Sequence, residues 1–271
     1  MNDARPADLA AAIAEIAVAA GRAILDIYRM DFEVTHKADA SPLTQADLAS
    51  HRLIRDALAR LTPDIPLLSE ESADIDFGIR AGWPEYWLVD PLDGTKEFVN
   101  RNGEFTVNIA LIRAHEPILG VVHVPVSGVT YVGLVGSGAT RQTAGGKQNP
   151  IHVRVPSADP VRVVGSRSHA NPRLQQYLEA LGDYEMVSMG SSLKFCLLAE
   201  GEADFYPRLG PTSEWDTAAA HAVVLAAGGQ IVTLDNRPLQ YNRKPSLLNP
   251  EFLVFGDPER DWQALFSTPD E

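Results

Sequence analysis

Between residues 6 and 29 the chain spaces Leu9, Ile13, Ile16, Ala20, Ile24 and Ile27 at helical intervals, with Glu15, Arg22 and Asp26 between them. That spacing gathers the apolar side chains on one face of a helix. A second helix is expected over 46–61. Shorter apolar runs rich in β-branched residues follow at 65–68, 86–90, 105–112, 118–124 and 129–135, and read as strands. Glycines with Gln and Lys from 136 to 148 read as a loop. Beyond it the pattern alternates, with strands expected at 161–165, 185–188, 203–206 and 230–233 and helices at 172–181, 191–199 and 216–227. Such alternation predicts α/β layers. One half is placed at 1–150 and the other at 151–271.

One strand meets an unusual end. Trp87-Leu88-Val89 runs into Asp90-Pro91-Leu92-Asp93-Gly94-Thr95. Proline and glycine drive a chain out of a strand, so Asp90 and Asp93 are expected on a tight turn at its end. Two ionised carboxylates that close repel each other unless a cation lies between them. Hard ions such as Mg²⁺ take all-oxygen ligands, and a turn can add a backbone carbonyl, here that of Leu92. A helix starting at Gly94 and Thr95 would aim free N–H groups at a phosphate. Other acids sit in comparable places. Glu70 and Glu71 follow the apolar run Pro66-Leu67-Leu68-Ser69, Asp47 lies just inside the start of the second helix, and Trp215-Asp216 opens a later one. Taken singly, Asp47 and Asp216 fit helix-dipole positions equally well, and Glu70 fits a solvated loop. Together they indicate metal-assisted phosphoryl chemistry.

The 271 residues suffice for one large domain or two smaller ones. A net charge of −13 argues against a general nucleic-acid surface. An acidic protein acting on a phosphate must bring cations to its site, as metal and a few placed basic residues. Lys194 and Arg208, with Arg167 close in sequence to His169, are the candidates, although a solvated helix face or loop also accounts for the first two. The single cysteine, Cys196, excludes an internal disulfide, and its apolar helical setting indicates packing. The histidines are scattered, and no P-loop, zinc-type cluster or repeat occurs. The opening residues read as helix rather than secretory signal, and no run approaches a membrane span.

On these residues the chain resembles the inositol monophosphatase superfamily of Mg²⁺-dependent, lithium-sensitive phosphatases. The shared core is Asp90-Pro91-Leu92-Asp93-Gly94-Thr95, Ser69-Glu70-Glu71-Ser72 and Trp215-Asp216. Within it, several segments are similar to bacterial 3′(2′),5′-bisphosphate nucleotidases of CysQ type. These are Lys96-Glu97-Phe98, Gly103-Glu104-Phe105-Thr106-Val107-Asn108-Ile109-Ala110, Ser166-Arg167-Ser168-His169, Gly190-Ser191-Ser192-Leu193-Lys194-Phe195, Tyr206-Pro207-Arg208 and Tyr241-Asn242-Arg243-Lys244.

The resemblance implies a five-layer α-β-α-β-α sandwich with its site in a cleft between the halves. It implies two or three Mg²⁺ ions, the usual cofactor pattern for a two-metal phosphatase. Glu70, Asp90 and the Leu92 carbonyl would hold the first; Asp90, Asp93 and Asp216 the second; Asp47 with Glu70 would reach a third through water. Asp47 and Thr95 would orient and deprotonate the attacking water. On the phosphate side Glu70, Leu92, Asp93, Gly94, Thr95 and Asp216 would also meet the substrate, and on the nucleotide side Ser166, His169, Ser191, Lys194 and Arg208. Inositol phosphatases carry a polyol-binding glutamate shortly before the Trp-Asp motif. Here the 206–211 segment has no acid and has Arg208. The implied activity is removal of the 3′-phosphate of adenosine 3′,5′-bisphosphate, giving AMP and phosphate, which recycles the by-product of sulfate assimilation. Hydrolysis of inositol-1-phosphate or fructose-1,6-bisphosphate is the alternative within the same chemistry, and a non-catalytic phosphate or metal sensor the alternative outside it. The implied partner is a small phosphorylated nucleotide and not a nucleic-acid polymer. A cytoplasmic enzyme, free or peripheral on the inner membrane, monomer or homodimer, fits this pattern.

Overall fold

The computed structural model describes residues 6–30, 42–165 and 172–264. Helices α1 (Pro6–Tyr28) and α2 (Pro42–Leu61) precede a seven-stranded sheet whose strands follow chain order. These are β1 (Leu67–Ser69), β2 (Glu85–Asp93), β3 (Thr106–Arg113), β4 (Glu116–Val124), β5 (Val129–Leu134), β6 (Gly138–Gln142) and β7 (Gln148–Ile151). Within this sheet, β1 and β2 pair in parallel and the other described pairings are antiparallel. Between these strands lie a 3₁₀ turn at Glu70–Ser72 and two short helices, α3 (Phe77–Arg80) and α4 (Thr95–Val99). A second sheet of five strands comprises β8 (Val161–Gly165), β9 (Tyr184–Ser188), β10 (Phe205–Arg208), β11 (Gln230–Thr233) and β12 (Phe252–Phe255). Their order is β11-β12-β10-β8-β9, and α5 (Pro172–Leu181), α6 (Leu193–Ala199) and α7 (Glu214–Ala226) lie between them in sequence.

The layering follows from which side chains each strand sends to each face. Along β2, Trp87 and Val89 pack outward with Ile13, Ala17 and Ile24 of α1 and Ile54 of α2. Tyr86 and Leu88, pointing the other way, join Phe195 and Leu198 of α6, Ala219 and Val223 of α7, and Val164 and Val254 of the second sheet. The far face of that sheet sends Val163, Phe205 and Leu253 against Leu178 and Leu181 of α5 and against Trp262, which stacks on Phe205 at 4.5 Å. Helix, sheet, helix, sheet and helix thus form five layers around three apolar cores. Both faces of the first sheet are covered, which is why β2 to β4 read as nearly unbroken apolar runs. Cys196 is fully buried in the central core, a packing position. No described helix is long and apolar enough to cross a membrane.

Several elements differ from expectation. The 136–148 segment is not a loop: it holds β6 and the start of β7. β7 is an edge strand with polar, exposed residues, and β6 buries only Ala139 deeply, so neither shows a clean period. β12 was not expected, because four consecutive buried apolar residues carry no alternation. α2 begins at Pro42, one turn before residue 46, a position where proline's missing N–H costs nothing. In α1 the most deeply buried hydrophobic positions are Ala10, Ile13, Ala17, Ala20 and Ile24, three of them expected, while Leu9, Ile16 and Ile27 pack against the same core only partly buried.

Candidate active site

β2 does not end at Asp90. It continues through Asp93, pairing Asp90 with Asn108 and Asp93 with Thr106 of β3, while Pro91 and Leu92 form a bulge between them. The expected turn at a strand end is therefore a bulge inside the strand. Proline cannot donate to the ladder, and an extra residue re-aims the side chains beside it. The Leu92 N–H donates to Asp90 Oδ1 at 3.0 Å, and Ser50 Oγ of α2 donates to the Pro91 carbonyl at 2.7 Å, holding the bulge from behind. Gly94 then adopts φ 99°, a left-handed conformation that suits glycine, and the chain turns directly into the short helix α4 at Thr95.

Asp216 arrives from the other half on α7. That helix lies directly on β4 and β5 where they carry Gly120 and Gly133: a Cβ on Gly120 would stand 2.0 Å from the Ala219 carbonyl oxygen. At the N-terminus of α7, Asp216 Oδ2 accepts from Thr212 Oγ1 (2.7 Å) and from the Ser213 N–H (2.9 Å). Its helix-capping role and its site position coexist, because the cap uses one oxygen and leaves the other. Asp90, Asp93 and Asp216 each place a carboxylate oxygen within 4.8 Å of the others. Glu70, on the 3₁₀ turn, adjoins this group and interacts with Asp90. Asp47 lies in the second turn of α2, deeper into the helix than expected, and faces Glu71 as well as Glu70; its Oδ1 is buried with no hydrogen-bond partner.

Burial and mutual repulsion make these carboxyls hard to ionise together. Asp90 is held well above the usual carboxylate range by burial, then by Asp93, Glu70, Asp216 and Asp47. Asp93 is pushed up to about 7 by burial and Asp216, against the opposing pull of Lys194, the Ser192 N–H and Asn108. Asp47 is pushed up to about 8 by burial, then by Glu71 and Glu70. Glu70 shifts the same way, through burial of its carboxyl and repulsion from Asp216, although much of the residue faces water. A bound cation reverses that repulsion, and a donor set made only of oxygens suits a hard divalent ion. The residues present fit Mg²⁺.

Asp93, Gly94, Ser191, Lys194, Arg208 and Asp216 line one open cleft of about 150 Å³. Asp90 and Leu92 are buried in β2, and Thr95 is exposed at the start of α4, between two cleft residues. Ser166 and His169 lie outside the described residues. Lys194 is buried, with Nζ 3.4 Å from the Met189 carbonyl. Arg208 donates from Nε to the Gly210 carbonyl (3.1 Å) and from Nη2 to that of Pro211 (2.6 Å). A larger cavity between α1 and β4–β6, with Arg22, Arg29 and His123 in its wall, gathers no comparable set of acids.

A set of uncharged side chains went unassigned in the sequence. The Ser192 N–H donates to Asp93 Oδ2 at 2.6 Å. The Ser192 hydroxyl donates to Asn108 Oδ1 (2.9 Å) and lies 2.8 Å from Thr106 Oγ1, tying Asp93's strand to the loop before α6. The available signal was register: Thr106 and Asn108 stand directly across β3 from Asp93 and Asp90.

Residues 6–262 match the Inositol monophosphatase family, and the chain belongs to that family. Its similarity is greater still to one group within it. The chain is 51% identical over 244 residues to the 3′(2′),5′-bisphosphate nucleotidase CysQ of Escherichia coli O6:H1, a match covering 89% of this chain and 97% of that protein. The protein of the same name from Haemophilus influenzae is 36% identical over 252 residues, covering 93% and 94%. Among solved structures, CysQ from Bacteroides thetaiotaomicron superposes with a TM-score of 0.84 at 42% identity over 91% of this chain and 96% of that one. An inositol monophosphatase from Zymomonas mobilis shares the fold, with a TM-score of 0.78 at 23% identity, covering 97% and 98%.

Proposed function

We propose that the protein is a Mg²⁺-dependent 3′(2′),5′-bisphosphate nucleotidase that hydrolyses the 3′-phosphate of adenosine 3′,5′-bisphosphate to AMP and phosphate. In sulfate assimilation this would recycle the spent nucleotide. The observation that carries the reading is the meeting of Asp90 and Asp93 with Asp216 beside a cleft holding Lys194 and Arg208. The CysQ-named relatives supply the substrate class.

In this reading the site lies between the halves 1–150 and 151–271. Glu70, Asp90 and the Leu92 carbonyl would hold one Mg²⁺, Asp90, Asp93 and Asp216 a second, and Asp47 with Glu70 would reach a third through water. When bound, the metal neutralises phosphoryl oxygens and lowers the pKa of the attacking water. The chain's own residues position groups and move one proton. The Thr95 hydroxyl orients the water and relays its proton to Asp47. α2, which carries Asp47, packs against both α4 and the 3₁₀ turn of Glu70, which supports that pairing. The water oxygen bonds to phosphorus as the bond from phosphorus to the ribose 3′ oxygen breaks, and that oxygen takes a proton from solvent. Gly94 and Thr95 offer N–H groups to the phosphate. Ser191, Lys194 and Arg208, with Ser166 and His169, bind the nucleotide.

Phosphate release from adenosine 3′,5′-bisphosphate, inositol-1-phosphate and fructose-1,6-bisphosphate, each with Mg²⁺ and with excess EDTA, tests this. We expect the nucleotide to be preferred and EDTA to abolish turnover. Preference for the polyol phosphate would replace the substrate assignment, and no turnover of any of the three would make the protein a phosphate or metal sensor.

A further inference from the structure

Lys96 has no role in the reading above, yet it stands in the cleft wall. Phe98 is fully buried and anchors α4 through ring contacts with Tyr28 at 5.1 Å and Phe105 at 5.3 Å. Two positions earlier on a helix is nearly the opposite side, so residue 96 is turned from the core toward solvent and the cleft. α4 is also docked on the other half of the molecule. A Cβ on Gly190 would stand 2.7 Å from Glu97 Cγ, so Glu97 packs on the turn leading to Ser191, Ser192 and Lys194. Lys96 and Arg208 therefore enter one cleft from opposite halves.

The three cations of the cleft are not equivalent. Arg208 is pinned by two carbonyls, and Lys194 is buried, touching the Met189 carbonyl and pulling down the proton affinity of Asp93. Lys96 is exposed, and its ammonium has no hydrogen-bond or ion-pair partner among the described residues. The bound metals are matched by the acids that hold them, so a second phosphate on the substrate must find its own cations. A flexible, exposed ammonium is suited to close on such a group after it arrives, against a guanidinium already fixed on the far wall.

We propose that Lys96 binds the non-scissile phosphate of the substrate opposite Arg208, and thereby selects bisphosphates over monophosphates. This rests on the nucleotidase reading. The test compares kcat and KM for adenosine 3′,5′-bisphosphate and adenosine 3′-monophosphate in the wild type, Lys96→Gln and Lys96→Arg. Losing one charge-assisted contact should cut the wild-type preference for the bisphosphate roughly ten- to a hundredfold in Lys96→Gln, carried by KM. Lys96→Arg should retain most of the preference, and the melting temperature of both variants should match the wild type. A wild-type preference that survives intact in a folded Lys96→Gln variant would overturn the role of Lys96 alone. A wild type that hydrolyses both nucleotides equally well would overturn the bisphosphate reading and this inference with it.

Discussion

Gly120→Ala adds a single methyl group under α7, and it should damage both stability and activity. Its Cβ would stand 2.0 Å from the Ala219 carbonyl oxygen and 2.8 Å from both the Ala219 carbonyl carbon and the Ala222 Cβ. The obstructing atoms are mostly backbone, so no side chain can swing aside, and α7 must recoil by roughly 1 Å in a close-packed interior. Overpacking of this kind costs about 3 kcal/mol, the upper end of its usual range. For a chain of this size that lowers the melting temperature by about 6–12 °C. The recoil is passed to Asp216, one turn earlier on the same helix, and a metal site tolerates only about 0.5 Å of ligand displacement. We expect kcat/KM to fall roughly a hundredfold, the scale of a 1 Å misplacement, with weaker Mg²⁺ binding by calorimetry. Gly82→Ala is the control: it meets only the Ile79 carbonyl at 3.7 Å, is exposed, and should leave both readouts near wild type. Wild-type melting and wild-type rate in Gly120→Ala would show that α7 does not set the position of Asp216.

Three further outcomes follow from the acidic cluster. Mg²⁺ should raise the melting temperature of the wild type, by about 2.7 kcal/mol of stabilisation at a hundredfold excess over Kd, and Asp90→Asn should abolish that rise along with turnover. Thr95→Ala should lower kcat by a factor on the order of 10²–10⁴ while calorimetric Mg²⁺ binding persists; an effect on KM alone would remove Thr95 from water activation. In chelator, the stability tied to Asp47 is fully present below its unfolded pKa and is lost as pH rises through its folded value of about 8, because the native state holds the proton more tightly than the unfolded chain. Thermal melts between pH 4 and 9 should therefore decline more steeply in the wild type than in Asp47→Asn, and equal slopes would mean that Asp47 is not held protonated by its surroundings.

How far the fold was legible depended on whether burial was one-sided or two-sided. The helical period of α1 marked the helix and, through Ile13, Ala20 and Ile24, the middle of its buried face, but not Ala10 and Ala17, because alanines carry little hydrophobic signal and yet permit the nearest approach. β12 and β6 escaped for opposite reasons, one wholly buried and the other almost wholly half-exposed, and period-two reading needs a contrast that neither has. The acids themselves were legible because carboxylates at the ends of apolar runs are conspicuous. Their supports were not, since hydroxyls and amides such as Ser192, Thr106 and Asn108 are unremarkable until a register is known.

The same limit explains why Asp93 matters more than its motif implies. In sequence it is one of two acids in a short turn-like segment. In space its Oδ2 accepts the Ser192 N–H, its carboxyl is repelled by Asp216 and attracted by Lys194, and all three of those residues come from the other half of the chain. Asp93 thus couples β2 to the loop before α6 and to α7 electrostatically as well as by hydrogen bond. With no cation present, its contacts across the cleft include a repulsion; a cation held by Asp93 and Asp216 would turn that repulsion into an attraction through the ion. Metal binding should therefore add to a junction that the shared apolar core already holds, and the expected readout is a higher melting temperature in Mg²⁺ than in chelator.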